Sequence, residues 1–76
     1  GNHRKEATLN YFNNCLNNSH EHSVFVFDDI YWSEGMQDAW EEIKKHPKVT
    51  VTIDIFQMGI VFFRTEQAKQ HFVVKY

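Results

Sequence analysis

A single cysteine in 76 residues, Cys15, leaves this chain without any intramolecular disulfide, and no Cys/His spacing suits a structural zinc. Nor is there an excess of basic charge. Eight Lys and Arg stand against ten Asp and Glu, giving net charge −2 and a pI near 6.2, so nothing electrostatic favours a nucleic-acid partner. The longest apolar runs are about five residues, far short of the roughly 20 that a membrane span needs. The start of the chain carries no signal-peptide pattern. The expectation is a soluble, cytoplasmic polypeptide that forms one domain over residues 1–76. A core of this size seldom supplies more than about 3–5 kcal/mol, so a staple or a partner is expected. What is abundant is aromatic side chains, 16% of the residues, which argues against disorder.

The chain is organised around Ser23-Val24-Phe25-Val26-Phe27-Asp28-Asp29-Ile30-Tyr31-Trp32-Ser33. A short apolar run bounded by polar residues predicts a strand buried on both faces. Ser33 then predicts the N-cap of a helix, which sets Asp28 and Asp29 on a strand-to-helix turn. Ligands of open α/β sheets bind outside such strand ends, and a divalent cation is a common remedy for two neighbouring carboxylates. The same two residues also suit a plain strand end and turn cap.

Before this segment, Thr8, Tyr11, Phe12, Cys15 and Leu16 form one helical stripe, with Leu9 beside it, predicting a helix near 4–17. Arg4 and Lys5 in its first turn oppose the helix dipole, so its start is expected to depend on tertiary context. Asn17-Asn18 suits a left-handed C-cap. His20-Glu21-His22 reads as a solvated loop in the absence of a third metal ligand. After the central segment, Met36, Ala39, Trp40 and Ile43 predict an amphipathic helix over 34–45, stopped by Pro47. Val49, Val51, Ile53 and Ile55 alternate with Thr50, Thr52 and Asp54, predicting a half-exposed strand over 48–56. Gln57-Met58-Gly59 suits a hairpin loop in which Gly59 takes positive φ, followed by a more buried strand over 59–64. Thr65 can cap a short helix running through Gln70, and His71 to Tyr76 is an apolar tail suited to a last strand or a packed extension.

The expected fold class is α/β, a three-stranded mixed sheet with one parallel crossover, a closing antiparallel hairpin and two main helices. In this order, the segments Phe-Asp-Asp-Ile-x-Trp-Ser over 27–33 and Val-Thr-Val-Thr-Ile-Asp…Met-Gly-Ile-Val-Phe-Phe over 49–63 carry a resemblance. They resemble the C-terminal third of a bacterial class I S-adenosylmethionine-dependent methyltransferase, and the likeness covers nearly all 76 residues. It implies a partial Rossmann-like sheet in which strand 59–64 lies between strands 23–28 and 48–56. In the metal-dependent O-methyltransferase branch, it implies Asp28 and Asp29 as ligands of Mg²⁺ and His3 at the position of the catalytic base. S-adenosylmethionine and Mg²⁺ would be cofactors of the parent, with neither expected to bind the 76 residues by themselves. The sequence departs from the family in lacking the glycine-rich cofactor loop and the first acid of the metal set, and in having Ser19-His20-Glu21-His22 where Pro-Gly-Gly is usual. Two other readings stand beside this one. The first is a small α/β interaction module forming a homodimer through the edge of strand 23–28. The second is a stand-alone metal-dependent hydrolase using Asp28 and Asp29.

Overall fold

The computed structural model describes residues 3–20, 22–65 and 68–75, with the backbone alone for His3. Two helices and four strands follow in the order α1 (His3–Asn17), β1 (Val24–Phe27), α2 (Glu34–Lys45), β2 (Val51–Ile55), β3 (Met58–Phe62) and β4 (Gln70–Val74). The sheet runs β1-β3-β2-β4. β3 is antiparallel to both β1 and β2, so α2 is a crossover between two parallel strands with the last hairpin strand inserted between them. That is the order expected for the first three strands.

The sheet has four strands rather than three. Gln70, expected at the end of a short helix, opens β4, which pairs in parallel with β2. The rest of that expected helix falls partly on residues 66 and 67, outside the described residues; Tyr76 lies outside them too. β4 is fixed at its start by the Gln70 N–H donating to the Thr50 carbonyl at 2.8 Å. The β-branched and aromatic run Phe72-Val73-Val74 suits an extended backbone.

Both helices lie on one side of the sheet. Phe27, Val61 and Phe63 meet Phe12 of α1 and Trp40 and Ile43 of α2, with Ile30 and Val49 closing the ends of this core. Lys5 of α1 pairs with Glu42 of α2 at 3.1 Å, and the Arg4 guanidinium sits 5.9 Å from the Trp32 ring centre. The two cations that oppose the α1 dipole are thus held by tertiary partners. Tyr11, expected on the buried stripe, is 56% exposed and only edges against Phe27. α1 ends without a left-handed residue at Asn18. Instead Asn18 donates to the Asn14 and Cys15 carbonyls, and Ser19 donates to that of Leu16.

α2 begins as expected. Ser33 is extended, and its hydroxyl accepts from the Met36 N–H at 3.2 Å. Ser33→Ala should therefore lower stability by about 1 kcal/mol, read as a shift of the urea midpoint at unchanged slope. No change would mean that the cap is idle.

Two expectations about faces and one about the hairpin turn are corrected. The polar set of β2, not its apolar set, faces the helices: Thr52 is 3% exposed and Asp54 6%. Thr52 can lie there because its hydroxyl shares a 2.7 Å hydrogen bond with His71 Nδ1, and Asp54 because Oδ2 accepts from the Tyr31 hydroxyl. β1 is not buried on both faces. Val24 and Val26 are half exposed, and they share their side of the sheet with Ile53, Ile60, Phe62 and Phe72. The shortest dimension of the molecule is 16 Å, a sheet and one helix layer, so among the described residues this apolar side carries no layer of its own. Finally, Gly59 does not supply the positive φ of the hairpin. Phe56 and Gln57 do, at 50° and 63°, forming a two-residue turn of the primed type. Gly59 is instead buried in β3, beneath the Trp40 ring.

Candidate functional site

Asp28 and Asp29 stand at the carboxyl end of β1, as the sequence predicts, and both are exposed. Asp29 is left-handed, with φ 56°, a conformation aspartate tolerates better than most residues. That kink turns the chain back. The Asp29 carbonyl accepts from the Trp32 N–H at 2.9 Å, and the Ile30 N–H donates to the Gln57 carbonyl at 2.8 Å. Buried Ile30 anchors the loop from below. The carboxylate loop is thereby tied to the β2–β3 turn, and the polar side chains of both collect at one end of the sheet.

Four further features converge there. Tyr31 reaches over to Asp54 of β2, Trp32 is 65% exposed, Arg4 covers its ring, and Asp28 borders a shallow recess of about 340 Å³ shared with Thr8, Tyr11 and Met36. α1 begins at this same end, because Arg4 in its first turn meets Trp32. His3 is the first residue of that helix; its side chain lies outside the described residues. Among the described residues, no three of His, Cys, Asp and Glu gather closely enough to hold a metal. Two adjacent carboxylates offer the hard oxygen ligands that Mg²⁺ prefers, but they leave most of its six positions to water or to other groups. His20 and His22 sit at the opposite end of β1, where the His20 ring nitrogen accepts from the His22 N–H at 3.1 Å.

Sequence reasoning did not reach the Tyr31–Asp54 contact or the Thr52–His71 contact. The alternation of Thr and Asp with Val and Ile in β2 was the available signal, but it marks polar residues without saying which side they face. The His71 pKa is lowered, first by partial burial of the imidazole and then by Lys44, against the opposing pull of Asp54 and Glu41. The His46 pKa is lowered by burial, Lys48 and Lys69. Both histidines thus bind protons less readily folded than unfolded. Their contribution is complete above the ordinary value of 6.5 and is lost as pH falls through it toward the depressed folded values. Urea midpoints should accordingly fall between about pH 7.5 and about pH 5, and the double variant His46→Gln/His71→Gln should show a shallower slope. An unchanged slope in that variant would place the pH dependence elsewhere.

No protein-family model matches the chain, and no curated protein or solved structure matches it either. Among the described residues no helix is long and apolar enough to cross a membrane.

Proposed function

We propose that these 76 residues are the C-terminal third of a class I S-adenosylmethionine-dependent O-methyltransferase, whose parent moves a methyl group from S-adenosylmethionine to a hydroxyl acceptor. The observation that carries this reading is the strand order. An amphipathic crossover helix joins two parallel strands, and the closing hairpin strand returns between them, as the resemblance implies. Two features of the fold add support. β1 is an edge strand, and the side of the sheet away from the helices is apolar and bare among the described residues. In the parent, further strands and helices would cover both. β4, beside β2, goes beyond the pattern of the resemblance.

On this reading Asp28 and Asp29 contribute to a Mg²⁺ site completed by an acid outside the chain, and His3 is the base. A bound ion of this kind lowers the pKa of the acceptor hydroxyl. The chain's own residues position that chemistry: the Asp29 kink and the Ile30 anchor hold the carboxylates at the strand end, and Thr8, Tyr11 and Met36 line the recess that Asp28 borders. The three glycines, at 1, 35 and 59, lie too far apart to form a cofactor loop, so the isolated chain is expected to be inactive. Calorimetry with S-adenosylmethionine and the 76-residue chain should show no saturable heat; saturable binding would contradict the assignment. Mg²⁺ titration followed by NMR at Asp28 and Asp29 should give millimolar affinity or none. Micromolar affinity abolished by Asp29→Ala would favour a self-sufficient metal site, as in the hydrolase reading.

One observation favours a second reading, an interaction module that forms a homodimer. Among the described residues no strand pairs with the outer edge of β1, an apolar strand without the proline or lysine that usually guards such an edge.

A further inference from the structure

We propose that the recess at the amino ends of β1 and β2, on the opposite side of the molecule from Asp28 and Asp29, binds a small organic phosphate. The cavity is about 360 Å³, the lower end of the range for small-molecule sites. Lys48, Arg64 and His20 line it together with the hydroxyl-bearing Ser19, Thr50 and Thr65, and no carboxylate does among the described residues. The described lining thus carries an excess of positive charge in a chain of net charge −2.

Both helices end near this recess, and exposed helix C-termini repel anions. Here those ends are already neutralised. Leu16 and Cys15 carbonyls accept from Ser19 and Asn18, while the Lys69 ammonium donates to the Lys44 and His46 carbonyls at 2.6 and 2.9 Å. Lys69 therefore does the work of a C-terminal cation. Lys48 and Arg64 are left without a carboxylate partner among the described residues. Two such cations match the charge of a phosphomonoester near pH 7, and the guanidinium fork suits paired phosphate oxygens. Thr50 has a donor to offer, since its hydroxyl reaches the Phe62 carbonyl only at 3.5 Å. Buried Phe63 and the Pro47 ring supply an apolar wall for the organic part of the ligand. The site is independent of the methyltransferase reading.

The test is an NMR titration of the 76-residue chain with inorganic phosphate and with glycerol phosphate, at constant ionic strength set by sodium chloride. Saturable shifts are expected at the Lys48, Thr50 and Arg64 amides, with glycerol phosphate binding more tightly than inorganic phosphate. The His46 pKa should rise on binding, because a dianion offsets the nearby Lys48 field that helps to lower it. The exposed pair Lys48→Ala/Arg64→Ala should weaken binding about tenfold or more while the far-UV spectrum is unchanged. Shifts that merely track chloride, or equal affinity in the double variant, would overturn the site. Acetate binding as tightly as glycerol phosphate would overturn the assignment to phosphate.

Discussion

Gly59→Ala is expected to destabilise the fold by roughly 1–3 kcal/mol, although alanine is ordinarily the better residue within a strand. A β-carbon at this position would sit 2.5, 2.6 and 2.9 Å from three carbons of the Trp40 ring. Trp40 is 2% exposed and wedged between α2 and the sheet, so the ring has nowhere to retreat. Gly59 also has no positive φ, and its backbone would accept a side chain without strain. The penalty should therefore come from the ring alone. In a Trp40→Leu background, Gly59→Ala should become neutral or stabilising by up to about 0.5–1 kcal/mol, the usual advantage of alanine over glycine in an element interior. Urea unfolding of the four proteins reads this cycle. Additive effects would show that the close approach of ring and strand does not set the cost.

The isolated chain is expected to sediment as a dimer at tens of micromolar, and Val26→Lys should return it to monomer. Val26 is 53% exposed, so the substitution removes little packing within one protomer. Antiparallel pairing of two β1 edges would bring the two lysines close across the new ladder, where like charges oppose pairing. A monomeric unsubstituted 76-residue chain would refute the dimer. A dimer indifferent to Val26→Lys would move the interface away from β1.

Much of the fold is legible in local pattern. α2 is bounded by a capping serine and a stopping proline, and its apolar stripe recurs at 3.6-residue spacing; the structure places it at Glu34–Lys45. The strand order β1-β3-β2 is the one the family resemblance implies; one crossover and one hairpin alone would equally allow β1-β2-β3. What local pattern does not reveal is which side of a strand is inside. β2 has an apolar row and a polar row, and periodicity alone assigns the apolar row to the core. The reverse holds because Tyr31 and His71, distant in sequence, satisfy Asp54 and Thr52, and because a glycine opposite Asp54 admits the Trp40 ring. β4 was legible only in part: the tail from His71 suits a last strand or a packed extension, and Gln70 reads as helical. Its five residues are all exposed, so burial leaves no alternation to decide between these, and the parallel partner β2 makes them a strand. At the carboxylate end, the positions of Asp28 and Asp29 were readable from the strand end and the Ser33 cap. Their convergence with Tyr31, Trp32 and Arg4 was not, since it depends on the Asp29 kink and on α1 arriving from the other side.

The proposal that this sheet is the closing portion of a methyltransferase can be checked by reading the coding frame upstream of Gly1. An open frame is expected, in which an aspartate codon immediately precedes Gly1 and completes Asp-Gly-Asn-His. Farther upstream a strand–loop–helix segment rich in glycine is expected, followed by an acidic residue suited to the cofactor ribose. An in-frame stop just before Gly1, or a long upstream frame without that glycine-rich segment, would contradict it.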